Sequence, residues 1–292
     1  MTTALVLGAT GLLGSNLVRE LRKVGIDAVG TARRRLSSSL ELSKLNFVEF
    51  EIGDSIDRLL DDIKPDLVFN CIATKPNLSK SFMNNSFSLI QANSLFARNL
   101  AKSVRRKDSF LFQFSTDAVF HDNGKYHTES SVRFPTNIYG MSKCIGETFC
   151  SSSLLIRATF VATKNDILAN SNHLSARIRN IEHASTILES ARVNWNGITV
   201  GSLSRILAQI SLQKSRPVGI RHIFSSKPIS RHELTQALAT HFDRKDLKVE
   251  SIQGFSRNAL LNSDFLGEHE NIWSLSGFRW VPTFYELLEI SV

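Results

Sequence analysis

Ala4-Leu-Val-Leu-Gly8-Ala-Thr-Gly11-Leu-Leu-Gly14 places an apolar run, a three-glycine turn and the start of an amphipathic pattern in direct succession. Residues 4–7 read as a buried strand, and residues 11–24 as a helix with Leu12, Leu13, Leu17, Val18 and Leu21 as its apolar residues. Between strand and helix each glycine has a task. Gly8 permits the tight turn, Gly11 lets backbone approach a pyrophosphate, and Gly14 brings the helix close to the strand. The helix N-terminus adds free N–H groups and a positive dipole end for that anion. Three glycines alone are a weak sign, but strand before and helix after make them a dinucleotide-binding turn. Gly8, Thr10, Gly11, Leu12, Leu13 and Gly14 are its candidate contacts.

Working outward, the same rhythm continues. Residues 26–31, 46–52, 66–72, 109–115 and 154–158 read as further strands, with helices over 87–104 and 138–150. Strands this apolar are buried on both faces, as in a parallel sheet covered by crossover helices. The expected fold class is therefore α/β, a Rossmann-type doubly wound parallel sheet. After about residue 160 helical stretches dominate (166–181, 201–211, 230–242), with short extended pieces at 219–224 and 247–250. This divides the chain into a nucleotide-binding domain, residues 1–160 with a returning segment near 193–222, and a smaller substrate-binding lobe, residues 161–192 and 223–292.

Composition narrows the function classes. The chain has 292 residues, 42% of them apolar, enough for a sizeable core. No apolar run approaches the ~20 residues of a membrane span, and the start lacks a signal-peptide pattern. Three cysteines (Cys71, Cys144, Cys150) suggest neither a disulfide framework nor a metal motif, and the histidines show no ligand spacing. A cytoplasmic protein without a metal or a membrane partner is expected. The formal charge of +8 serves general solubility or attracts anionic small molecules such as nucleotides. Nucleic acid is not the expected partner, because the basic residues are dispersed and no recognition motif accompanies them.

The second strand ends Gly30-Thr-Ala-Arg33-Arg34-Arg35, with no carboxylate to hold a ribose 2′-hydroxyl. A guanidinium there can grip a 2′-phosphate through paired hydrogen bonds, so Arg33 and Arg34 favour NADP(H); a solvated basic turn is the other reading. The fifth strand closes Phe114-Ser115-Thr116-Asp117, at the edge where open α/β sheets put their ligands. Tyr139 and Lys143, four apart on the next helix, share one face. A fixed ammonium beside a phenol stabilises the phenolate and brings its pKa toward the working range. Tyr139 would then protonate a ketone oxygen, Thr116 would hydrogen-bond the same oxygen, and Lys143 would also hold the nicotinamide ribose. A Tyr-x-x-x-Lys pair arises readily by chance; its order after the glycine turn and the Ser-Thr strand end makes it specific.

These motifs resemble the extended short-chain dehydrogenase/reductase superfamily, in which Gly-x-x-Gly-x-x-Gly is the usual turn. The resemblance implies adenine contact at Asp54, backbone of Cys71-Ile72-Ala73 passing the cofactor, and a helix asparagine, Asn93, that kinks its helix or organises a water relay toward the lysine. Ser115-Thr-Asp-Ala-Val-Phe120, Tyr126-His-Thr-Glu129, Pro135-x-Asn137-x-Tyr139-Gly-x-Ser-Lys143-x-x-Gly146-Glu147 and Leu155-Ile-Arg-Ala-Thr159 look like the dTDP-4-dehydrorhamnose reductase branch. That branch implies NADPH-dependent reduction of a 4-keto group on a nucleotide-activated deoxysugar, for cell-surface polysaccharide, and a homodimer through the helices at 87–104 and 138–150. Asp117-Ala118 lacks the Asp-Glu of 4,6-dehydratases, and the epimerase-reductases place Cys where Asp117 stands. A sugar-nucleotide epimerase, or a non-catalytic NADP-binding regulatory subunit like that of methionine adenosyltransferase, are the alternatives.

Other features read as structural. His121, His127, His232 and His241 read as surface polar groups, and Trp273 and Trp280 as core of the C-terminal lobe; Trp195 either stacks on a base or sugar or anchors the smaller lobe to the sheet, and packing is the favoured reading. Lys75 and Lys80 are solvated loop lysines or contacts for substrate phosphates.

Overall fold

Seven strands form one parallel sheet in the computed structural model, which describes residues 2–33, 46–76, 81–122, 124–167, 174–253 and 259–290. Arg34 and Lys80 lie outside the described residues. In chain order the strands are β1 (Thr3–Leu7), β2 (Asp27–Ala32), β3 (Phe47–Glu49), β4 (Leu67–Asn70), β5 (Phe110–Ser115), β6 (Ser153–Arg157) and β7 (Gly219–His222). Their spatial order is β7-β6-β5-β4-β1-β2-β3, every pair parallel. The order reverses at β1 and β4, the switch point where such sheets open a ligand crevice.

Alternation along the strands fills two cores. Ala4 and Val6 face one side, with Leu17 and Leu21 of α1 (Leu12–Lys23) and Leu203 and Leu207 of a later helix, Val200–Leu212. Leu5 and Leu7 face the other, with Leu59 and Leu60 of α2 (Ile56–Ile63) and Leu100 and Val104. Successive strand side chains point to opposite faces, so one strand serves both cores.

The helix read over 87–104 is longer and irregular. It runs as α3 (Phe82–Leu89), a π-helical stretch Ile90–Phe96, and α4 (Ala97–Arg106). Wide turns of this kind are uncommon and cluster at functional sites. The helix expected to reach residue 150 is α5 (Ile138–Gly146), capped by Asn137, whose side chain accepts the Gly140 N–H at 2.8 Å. It stops early because Glu147 turns extended (ψ 93°) and points inward.

The smaller lobe contains α6 (Leu174–Asn180), the parallel strand pair Thr186–Ser190 and Lys248–Ile252, and, beyond α7 (Val200–Leu212), α8 (Arg231–His241). With α9 (Leu266–Leu275) and α10 (Phe284–Glu289) the described helices are complete. Ile178, Ile187, Leu234, Leu238 and Phe284 make the lobe's own core. The last stretch does not belong wholly to that lobe: Ile272, Trp273, Phe278 and Leu287 pack into the core shared by β1, α1 and α7. An apolar helix face looks the same in sequence whichever core it meets. Trp280, by contrast, is exposed and donates through its indole N–H to Glu286, so it is not core. Trp195 packs edge-on against Phe284. His127 also departs from the surface reading: it is buried and stacked on Phe120.

Among the described residues no helix is long and apolar enough to cross a membrane, and no group of His, Cys, Asp or Glu could hold a metal ion. Trp273 is fully buried at the seam between the C-terminal segment and the main sheet. Trp273→Ala should therefore cost about 3–5 kcal/mol of unfolding free energy, read from denaturant midpoints.

Candidate active site

The glycine turn is built as a cradle. Gly8 has φ +72°, and a side chain there would press on Ile72 at 3.0 Å. At Gly14 a Cβ would sit 2.4 Å from the Gly8 carbonyl oxygen, so only glycine lets α1 close over the turn. Thr31 of β2 anchors the turn twice, accepting the Gly8 N–H on its hydroxyl and the Ala9 N–H on its carbonyl, both at 3.0 Å. No side chain caps α1 at Gly11, which leaves its first turn, with Leu12 and Leu13, open to an anion. Thr10 lies within this turn, and Arg33 is exposed just past the end of β2. Asp54 is exposed beyond β3 and accepts the Glu51 N–H at 2.7 Å.

The loop after β4 closes the cradle. Cys71 donates its N–H to Leu7 at 3.0 Å, and burial holds its thiol well above the ordinary range, an unreactive small apolar group. Ala73 is exposed beside it. Asn93 projects from the π-helical stretch and brackets Thr74: it accepts the Thr74 N–H and donates to the Thr74 carbonyl, each at 2.9 Å, and donates to the Ser142 hydroxyl at 3.0 Å. With its amide fully engaged, Asn93 fixes the loop against α5. Neighbouring Ser94 donates to the Ser142 carbonyl at 2.7 Å.

Tyr139 and Lys143 come from α5, held tight against the strand ends. A Cβ at Gly140 would meet the Ala118 oxygen at 2.0 Å, and one at Gly146 the Asn93 oxygen at 1.8 Å. Lys143 is buried and donates to the Phe114 carbonyl at 3.1 Å. Burial pushes its amine down to about 8, reinforced by the charge of Lys75 and opposed by the Glu147 carboxylate. Burial, and after it the Asp117 carboxylate, pushes the Tyr139 phenol up. This differs from the sequence expectation that Lys143 would draw the phenol's pKa down. Here the phenol stays protonated throughout the neutral range, the state a proton donor needs. Thr116, 6% exposed, donates to the Asp117 carboxylate at 2.9 Å and accepts the Ala118 N–H at 3.3 Å. Its hydroxyl must leave Asp117 before it can donate elsewhere.

Sequence reasoning missed the groups beneath. Glu147 accepts from Arg157 twice at 2.8 Å, from Ser115 at 2.6 Å and from Arg133 at 2.9 Å. Burial alone would raise its carboxyl, but the Arg157, Ser115 and Arg133 contacts reverse this and hold it below 4.5. Arg157 lies 4.9 Å over the Phe120 ring and meets His222 Nε2 at 3.2 Å. Both ion-pair residues were legible within motifs, but nothing in their spacing says they face one another.

A parallel seven-stranded sheet, a glycine cradle at the switch point and a Tyr-Lys helix beside it define an extended short-chain dehydrogenase/reductase of the dTDP-4-dehydrorhamnose reductase type. The chain belongs to the RmlD substrate binding domain family, whose model matches residues 1–260. It is 31% identical over 144 residues to methionine adenosyltransferase 2 subunit beta of Rattus norvegicus, covering 49% of this chain and 41% of that protein. The match thus spans less than half the length of that relative. It is also 31% identical over 160 residues to the dTDP-4-keto-6-deoxy-D-glucose reductase of Streptomyces niveus, 54% of this chain and 51% of that one. The dTDP-4-dehydrorhamnose reductase of Bacillus anthracis, solved in complex with NADP, superposes with a TM-score of 0.75 at 19% identity over 99% of this chain and 98% of that one.

Glu147 contributes stability above its ordinary value of 4.5, and that contribution is lost as pH falls through its lower folded value. Glu147→Gln should cost about 3–5 kcal/mol near neutrality by stranding Arg157. The gap in melting temperature from the wild type should narrow only below pH 4.5.

Proposed function

We propose that this chain is an NADPH-dependent reductase of a 4-keto group on a nucleotide-activated deoxysugar, acting in cell-surface polysaccharide synthesis. The observation that carries the reading is the intact trio: Tyr139 and Lys143 on one face of α5, with Thr116 at the end of β5. The cradle of Gly8, Gly11 and Gly14 fits a dinucleotide pyrophosphate, and Arg33 suits a 2′-phosphate. NADPH, when bound, supplies the hydride. Tyr139 delivers the proton to the ketone oxygen, its raised pKa keeping that proton in place until charge develops there. Thr116 turns from Asp117 to hydrogen-bond the same oxygen, Lys143 holds the ribose, and Asn93 keeps the adjoining loop in register. Lys75 interacts electrostatically with both Lys143 and Arg231, a positive field suited to the substrate's phosphates.

The likeness to a methionine adenosyltransferase subunit favours a second reading, a cofactor-binding regulatory chain without turnover. The two are separated by following NADPH absorbance with dTDP-4-keto-6-deoxyglucose. Tyr139→Phe should abolish oxidation and leave NADPH affinity within a few-fold; turnover retained in this variant would remove Tyr139 from the donor role. Cofactor binding with no turnover on any keto-sugar nucleotide would support the regulatory chain.

A second copy of the chain fits the outer face of the same helices. Met83, Phe87 and Ile90 form one exposed apolar stripe and Met141 and Ile145 another. Combined Phe87→Glu and Ile145→Glu should convert a dimer to a monomer in light scattering, with the fold unchanged by circular dichroism.

A further inference from the structure

Beside Lys143 lies a small cavity lined by Asn70, Asn93, Gln113, Ser115, Lys143 and Glu147, with other residues completing its wall. Its free space is about 10 Å³. That is room for one water and for no larger ligand, since a single water needs roughly 10–15 Å³ of such space and two to four polar partners.

Asn70, at the end of β4, is 6% exposed, and its Oδ1 has no hydrogen-bond partner. The orientation of that amide is fixed by chemistry. The Ala97 carbonyl only accepts, so Gln113 must present its NH₂ there, at 3.3 Å. Gln113 Oε1 is then left to accept from Asn70 Nδ2, at 2.9 Å. Turning Asn70 over would set two carbonyl oxygens face to face, so its Oδ1 points away from Gln113. Leaving a buried oxygen unpaired is costly, and a bridging water removes that cost. Lys143 has three N–H groups and gives one to Phe114.

We propose that Asn70 is a positioning residue for Lys143, acting through one buried water that accepts from the Lys143 ammonium and donates to Asn70 Oδ1. The Asn70–Gln113–Ala97 chain holds that water rigidly, and the water holds Lys143 both in place and in its charged form. The catalytic meaning of this rests on the role given to Lys143 above; the hydrogen-bond assignment does not. Other groups that bear on the amine are Cys71 and Lys75, on the loop after β4, and Glu147, just past the end of α5.

The test reads the amine itself. In protein labelled with ¹³C at lysine Cε, the Lys143 signal is assigned by its loss in Lys143→Arg, and its titration midpoint is measured by NMR. Asn70→Leu fills the cavity and removes the acceptor, so the midpoint should fall by about one pH unit or more. Asn70→Ser keeps a hydroxyl and room for water, so its midpoint should stay within about half a pH unit of the wild type. A high-resolution crystal structure of the wild type should show water density between Asn70 and Lys143. An unshifted midpoint in Asn70→Leu, or a wild-type cavity without that density, overturns the proposal. The crystal structure decides the matter if Asn70→Leu does not fold. Neither readout depends on turnover, so an inactive protein would count against the reductase reading and leave this one standing.

Discussion

Arg157 and Glu147 meet at the carboxyl edge of the sheet, each side chain 1% exposed, through two parallel hydrogen bonds. Removing two charges from water is expensive, and the attraction between them offsets that cost only when the geometry is good and the remaining polar atoms are matched. Here they are. Ser115 and Arg133 complete the carboxylate, while the Glu129 carbonyl, His222 and the Phe120 ring surround the guanidinium. Glu129 in turn accepts the backbone N–H groups of His222 and Asp264 and the hydroxyl of Ser263. One buried pair thereby ties the ends of β5, β6 and β7, the exit of α5 and the segment before α9. The pose of Tyr139 and Lys143 follows from it, because α5 ends on Glu147.

Within that frame, burial moves two groups on one helix face in opposite protonation senses. It keeps the phenol of Tyr139 neutral and brings the amine of Lys143 down to about 8, still charged at neutral pH but closer to release of its proton. Environments that separate two titratable neighbours in this way mark acid and base assignments. The sheet interior therefore supplies more of the tuning than the Tyr–Lys proximity does, and Asp117 adds to it on the tyrosine side.

The sequence displayed what is local. The glycine turn, the apolar strands and the Tyr-x-x-x-Lys spacing are each decided by neighbours within a few residues, and the parallel sheet follows from them. What depended on distant partners was illegible. Gly219–His222 reads as an extended piece in the segment returning to the sheet, but nothing local says that it pairs with β6 at the sheet's edge. Trp273 gave no sign of which core it would join, and Asn93 none that its amide would be engaged with Thr74. Gln113 looked like a polar residue in an apolar strand, and only the fold shows it paired to Asn70 across β4 and β5.

Gly140, between Tyr139 and Lys143, and Gly146, one turn beyond them, are packed at distances that admit no added methyl group. This gives the molecule an uneven capacity to vary. The α5 side of the cleft is sterically frozen, since any side chain larger than hydrogen at either position drives the helix off Ala118 or Asn93. The smaller lobe has its own core and its own capping box at α8, so the surface around α8 can be redrawn with little effect on the sheet. The two parts thus differ in their freedom to change: the helix face that carries Tyr139 and Lys143 is fixed by its backbone contacts, while the surface of the lobe is not.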